Sequence, residues 1–173
     1  MYKLRNLLGL QVLEVETGTQ IGEVQEVVLD IEGAIVLGIV ITSANWFNDD
    51  RGIAFEDLFS IGRDAVMVRN KRAVREVASF LPQNNYYHFY DLFEKQIFTE
   101  TGLQLGVLVD IAFDDSTGEI KGYQLSDGIV SDLLYGRMVM PLPQVQVVGQ
   151  EKLIVPESMG KLLHSDMTEN ELE

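Results

Sequence analysis

Apolar residues along this chain gather in short Val- and Ile-rich blocks separated by turn residues, the pattern of half-buried strands. In the first half the blocks are Gln11–Val15, Ile21–Leu29, Ile35–Thr42, Ile53–Phe55 and Ala65–Arg69. In the second they are Lys95–Glu100, Leu105–Phe113, Glu119–Leu125, Met138–Pro141 and Lys152–Val155. Glu16-Thr17-Gly18-Thr19, Glu32-Gly33, Ser60-Ile61-Gly62-Arg63-Asp64 and Asp115-Ser116-Thr117-Gly118 supply the turns between them. The longest apolar run, AIVLGIVI from Ala34 to Ile41, is far short of the roughly 20 residues that cross a bilayer. It reads as a buried strand. The period changes over Lys71–Leu81, where Ala73, Val74, Val77, Ala78 and Leu81 fall on one helical face. That spacing predicts a connecting helix, ended by Pro82-Gln83-Asn84-Asn85. A second short helix is expected over Glu157–His164.

The two sets of blocks are one plan written twice. TGTQIGEVQEVVLD (Thr17–Asp30) and TGLQLGVLVDIAFD (Thr101–Asp114) align. Thr17 and Thr101, Gly22 and Gly106, and Gly38 and Gly122 each stand 84 residues apart. Later the offset grows to 87, between Gly62 and Gly149, so three extra residues lie between Ser126 and Arg137. Self-similarity spread over most of each half is duplication. Gly18 and Gly102 occupy turns. Gly22, Gly38, Gly106 and Gly122 sit inside strand patterns, where glycine marks a bend, a bulge or a close backbone approach. Each half therefore reads as a small, strongly bent antiparallel β-barrel of about 70 residues, marginal alone because small cores bury little surface. Packing as a pseudosymmetric pair is the expected remedy.

The order of these signals resembles the PRC-barrel domain. The first copy carries Thr17-Gly18, Ile21-Gly22-Glu23-Val24, Asp30, Gly38, Ile53 to Leu58 and Ile61 to Val68. The second is looser, with Met140-Pro141-Leu142-Pro143-Gln144-Val145 where Glu56-Asp57 would stand. The whole is similar to bacterial proteins made of two tandem PRC barrels. The resemblance implies a bent β-barrel fold and a habit of binding other proteins. PRC barrels occur in the cytoplasmic part of the photosynthetic reaction-centre H subunit and in a ribosome maturation factor that engages a ribosomal protein. It implies no catalytic residues. The organisation expected is a first domain with its following helix over 1–81, an aromatic-rich linker over 82–94, a second domain over 95–164 and an acidic tail over 165–173.

Composition narrows the chemistry. The 173 residues include no cysteine, which excludes disulfides, thiolate catalysis and thiolate metal sites. With MYKLRNLLGLQ lacking a signal-peptide pattern, a cytoplasmic location is expected. A net charge of −14 disfavours nucleic acid and anionic membrane. The one basic cluster, Arg69, Lys71, Arg72 and Arg75, reads first as a solvated face and second as an RNA- or ribosome-binding patch. Glu56-Asp57 on a strand would point to opposite faces. Asp114-Asp115-Ser116-Thr117-Gly118-Glu119 and Asp30-Ile31-Glu32-Gly33 lack the glycine and distant Glu of a calcium loop and read as Asx turns. His88 and His164, the only histidines, have no triad or metal-ligand spacing. No enzyme activity, cofactor or metal is expected.

Two places point to binding. Asn85 to Phe93 holds five aromatic residues in nine positions. Tyr86, Tyr87, Phe89 and Tyr90 are expected to form the seam between the barrels. The loops Ser43–Gly52 and Ser126–Arg137 hold equivalent places in the repeats and carry Trp46 and Phe47, and Leu133, Leu134 and Tyr135. Apolar groups on loops of a rigid scaffold suit recognition. The leading expectation is a non-enzymatic adaptor, monomeric as an internal pseudo-dimer or homodimeric, contacting a basic protein partner through Trp46, Phe47, Leu133 and Tyr135. The alternatives are a small-ligand or metal sensor with a cavity between the barrels, near Asp114 and Asp115, and the RNA-associated factor.

Overall fold

The computed structural model describes residues 1–42, 50–126, 138–144 and 146–162. The chain is mainly strand: β1 (Tyr2–Lys3), β2 (Gln11–Glu14), β3 (Gln20–Asp30), β4 (Ile35–Thr42), β5 (Arg51–Ala54), β6 (Ser60–Ile61), β7 (Ala65–Val68), β8 (Arg75–Glu76), β9 (Tyr87–His88), β10 (Gln96–Thr99), β11 (Gln104–Phe113), β12 (Ile120–Ser126), β13 (Met138–Pro141), β14 (Val147–Val148) and β15 (Lys152–Val155). Two sheets result. One runs β6-β7-β2-β3-β4-β5-β8 with β9 added to β3, and the other runs β13-β12-β11-β10-β15-β14 with β1 added to β11. Neither strand order closes into a ring among the described residues. One pairing in each sheet is parallel, β2 with β7 and β10 with β15, against the all-antiparallel expectation. After the reversals through β3, β4, β5 and the β6–β7 hairpin, the chain returns beside β2 running in the same direction.

The bend lies in β3. Its first residues pair with β2 and its last with β9, through Val28 with His88 and Leu29 with Tyr87. The β3–β4 register shifts twice, between Val24 and Glu26 and between Val28 and Leu29. Such bulges concentrate twist and let one strand serve two partners. Val27, Val28 and Leu29 are all fully buried in succession, so this part of the sheet is covered on both faces. Val27 and Leu29 are buried, as are Val12, Ile39, Ile53 and Val66 on the other strands of this sheet. Val28 and Val40 pack instead against Val77, Leu37, Phe80 and Leu81.

That outer cover corrects the connecting helix. Residues 71–81 form two 3₁₀ turns, Lys71–Ala73 and Val77–Ser79, on either side of β8. Asn70 Oδ1 accepts the Arg72 N–H to cap the first turn. Arg75 and Glu76 pair with Gly52 and Arg51 at the exposed edge of β5, and the Val77 N–H reaches the Asp50 carbonyl. An open sheet edge offers backbone partners an isolated short helix would forgo, and Val74 and Val77 favour extended backbone. A helix does occupy 157–162.

By its internal packing the chain divides into two bodies, Met1–Asp91 with Ala112–Lys121, and Leu92–Ile111 with Gly122–Glu173. The first is therefore built from both repeats. In it β1 pairs with the end of β11, Tyr2 opposite Phe113 and Lys3 opposite Ala112, and the Tyr2 ring meets the Phe113 ring edge-on at 5.8 Å. Ile35 forms a bridge with Glu119. The Val36 N–H donates to the Gly118 carbonyl and the Ile120 N–H to the Ala34 carbonyl, each at 2.8 Å. Shifted by the 84-residue offset, one of these bonds becomes the other. The second body holds its own core of Ile97, Leu108, Tyr123, Leu125, Met140 and Leu153.

Candidate functional site

The described polar groups are largely committed to the fold. Asp114 Oδ1 accepts the Ser116 hydroxyl at 2.5 Å, the Ser116 N–H at 2.8 Å and the Thr117 N–H at 3.1 Å. These donors, the Ser116 hydroxyl first, hold its carboxyl down at about 2. The equivalent Asp30 accepts the Gly33 N–H at 2.8 Å. Glu14 accepts the Thr17 hydroxyl and the Lys71 N–H, both at 2.6 Å, tying a turn to the chain after β7. Among the described residues no three of His, Asp and Glu converge as metal ligands would.

Glu26 and Asp110 stand 84 apart and are both buried. Each accepts the N–H of its following residue, Val27 at 2.8 Å and Ile111 at 2.9 Å. Glu26 also accepts the Tyr90 N–H at 3.3 Å, which anchors the single helical turn Phe89–Leu92. Burial raises its pKa against the opposing pull of the Val27 and Tyr90 N–H groups. Glu26 sits at the register shift between Val24 and Glu26 in the β3–β4 pairing.

Glu56 and Asp57 lie on a 3₁₀ turn, Phe55–Asp57, rather than on a strand. Both reach Arg75, whose Nη2 is 3.2 Å from Asp57 Oδ2 and 3.8 Å from Glu56 Oε1. Arg75 also covers the Phe80 ring at 5.4 Å, and Arg69 covers the Phe59 ring at 5.1 Å. Half of the basic cluster therefore serves as lids on aromatic rings beside carboxylates, which disfavours a phosphate track.

A groove of about 690 Å³ opens in the first body. Its apolar walls are Ile35, Leu37, Phe55, Phe59, Ile61 and Phe80. Phe59 keeps 51% of its surface exposed and Ile35 keeps 38%. Glu56, Asp115, Ser60 and the Ser116–Thr117 turn supply its polar groups, and no Lys or Arg lines it. Gly118, in left-handed geometry at φ +78°, lets the turn lie against the Phe55 ring, since a Cβ there would meet ring carbons at 3.0 Å. At one end, β6 terminates the sheet order, with Ser60 and Ile61 lining the groove. Just past β6, the Tyr2 hydroxyl donates to the Gly62 carbonyl at 2.9 Å. Burial and the neighbouring Asp115 and Asp64 carboxylates raise the Tyr2 pKa.

Trp46, Phe47, Leu133 and Tyr135 lie outside the described residues, as does His164. Of the aromatic segment, Tyr87 sits in β9 against Leu29, Phe89 is buried, and Tyr86 and Tyr90 are exposed. Gly18 and Gly102 have positive φ, at +68° and +91°. Gly22, Gly38, Gly106 and Gly122 allow backbone contact, since an added Cβ would come within 2.4 to 2.8 Å of a carbonyl oxygen on the neighbouring strand. Gly52, at the start of β5, has no motif in the sequence to mark it. It admits Val77 and Phe80, which a Cβ would meet at 2.9 and 3.1 Å.

These features define a two-sheet β protein whose described buried carboxylates serve turns and strands, and which holds an open groove lined by both apolar and polar groups. The PRC-barrel domain model matches residues 1–75 and again residues 84–162, and the chain belongs to that family. A search of curated proteins found no matching relative. No helix among the described residues is long and apolar enough to cross a membrane.

Proposed function

We propose that this chain is a non-enzymatic adaptor, resident in the cytoplasm, that binds another protein through its PRC-barrel domains. The observation that carries this reading is where polar and apolar groups are spent. Asp114, Glu14, Glu26 and Arg75 are bound within the fold, whereas Phe59 and Ile35 stand exposed in a groove. Catalysis needs convergent, poised titratable groups, and recognition needs apolar surface on a rigid frame. Trp46 and Phe47 in one repeat, and Leu133 and Tyr135 in the other, contact the partner, so one chain presents two copies of a recognition loop. The net charge of −14 selects a partner with a basic surface.

The test is an affinity pull-down from native lysate, followed by a binding measurement with the purified partner. Trp46→Ala/Phe47→Ala and Leu133→Ala/Tyr135→Ala double variants are run beside the wild type. Binding weakened at least tenfold by either pair, with unfolding midpoints unchanged, is the expected result. Equal partner binding by all three proteins would remove these loops from the interface, and recovery of no specific partner would overturn the adaptor reading.

A further inference from the structure

We propose that the groove beside Phe59 takes an extended peptide segment of the partner, with a bulky apolar residue flanked by Lys or Arg. This rests on the reading of the chain as a protein-binding module and adds the site and the chemistry of what enters it. Three features of the first body select that occupant. The apolar floor of Phe55, Ile35 and Phe59 is partly open to solvent, and filling it with an aliphatic or aromatic side chain removes that surface from water. Asp115 provides negative charge on the lining, whereas Glu56 is paired with Arg75. Complementary charge flanking an apolar anchor gives orientation and rejects acidic segments.

The third feature is the sheet edge. Ser60–Ile61 is the last strand of its sheet and lies in the groove wall. On its inner side the Phe59 N–H reaches the Met67 carbonyl and the Gly62 N–H the Ala65 carbonyl. An extended peptide lying along the outer side continues the sheet, with backbone bonds giving affinity and alternate side chains entering the apolar floor. A helix or a folded surface would not follow a short edge strand this way. Ser116 and Thr117, held in place by Asp114, line the same groove.

The test is selection of random twelve-residue peptides displayed on phage against the full chain, then fluorescence anisotropy on labelled synthetic peptides. The wild type is compared with Phe59→Ser and Asp115→Lys, both at exposed positions and both checked by thermal unfolding. Enriched peptides should carry a bulky apolar residue beside Lys or Arg. Their Kd should rise at least tenfold with Phe59→Ser and at least threefold with Asp115→Lys, and the Asp115 effect should shrink in high salt. Enrichment of acidic peptides, affinities unchanged in both variants, or no enrichment would overturn the proposal. The purified partner separates this failure from failure of the adaptor reading. A partner bound equally by wild type and Phe59→Ser but lost by the loop variants leaves the adaptor standing and removes the groove.

Discussion

Replacing Gly38 by alanine tests whether close strand approach shapes the first body. A Cβ at Gly38 would lie 2.4 Å from the Ile53 carbonyl oxygen, 2.8 Å from Phe80 Cε2 and 3.1 Å from Ala54 Cα. The first contact is roughly 1 Å inside an ordinary non-bonded separation of about 3.5 Å. No rotamer relieves it, because both atoms are held by the β4–β5 pairing of Ile39 with Ile53 and Gly38 with Ala54. Overpacking of this kind costs up to about 3 kcal/mol. The entropy that alanine removes from the unfolded chain returns about 0.4–1 kcal/mol. The net loss expected is about 2 kcal/mol, or about 4–8 °C in Tm if the chain unfolds as one unit. Urea unfolding followed by circular dichroism measures it. Gly122→Ala should behave alike, since its Cβ meets the Met140 carbonyl oxygen at 2.4 Å. Gly160→Ala is the contrast. It lies in the helix 157–162 and would touch only side-chain carbons at 3.3 Å or more, so helix propensity should leave stability equal or up to about 1 kcal/mol higher. Gly38→Ala within 0.5 kcal/mol of wild type, the threshold for an ordinary surface change of about that size, would refute the close-approach account.

Other consequences are open to direct measurement. Glu26 has its folded pKa raised by burial, so the folded state holds its proton more tightly than the unfolded chain. Stability should therefore fall as pH rises from the ordinary Glu value through the folded value, and Glu26→Gln should abolish that slope; parallel urea midpoints for the two proteins from pH 5 to 7 would sink the assignment. Asp114, held at about 2, adds stability that is complete above its ordinary value of 3.8 and lost as pH falls toward 2. Ser116→Ala should raise its pKa, as followed by carboxyl NMR titration, and an unchanged midpoint would exclude the hydroxyl as the chief cause. The Tyr123 hydroxyl donates to Gln146 at 2.7 Å in the second body, so Tyr123→Phe should cost about 1 kcal/mol in urea unfolding; no loss would mean that water replaces the bond.

The strand blocks were legible because burial on one or both faces writes itself into local composition. β4 and β13 fall on Ile35–Thr42 and Met138–Pro141 as their apolar blocks do. The strap over 71–81 carries a helical pattern because Val77 and Leu81, at i and i+4, satisfy a helical face equally well as an irregular strap touching one sheet surface. What decides between them is the edge of β5, some 20 residues earlier, and Gly52, whose missing side chain seats Phe80. β1 has two residues and takes its partner from Phe113 and Ala112, so nothing local announces it. The groove joins Ile35, Phe59 and Ser116, residues with no common motif. Glu26 and Asp110 were within reach, because the repeat offset places two acids in matching apolar strands and a strand carries such an acid at a cost.

The need for two copies can itself be put to the test, because the first body is discontinuous. It draws Ala112–Lys121 from the second repeat, and with it the buried side chains of Phe113 and Ile120. Burying two such side chains is worth about 3–6 kcal/mol, comparable to the whole stability of a small domain at about 5–15 kcal/mol. The Val36 N–H and the Ala34 carbonyl would also lose the Gly118 and Ile120 partners they have in the intact chain. A fragment of residues 1–91 should therefore fail to unfold cooperatively by itself. Co-expressed with residues 92–173, it should be recovered as a complex with the heat-unfolding transition of the full chain, because the second fragment brings the missing hairpin tip. A fragment 1–91 that is monomeric and melts cooperatively near the full-chain Tm would show that the tip adds little, and the duplication would then have to be explained by recognition alone.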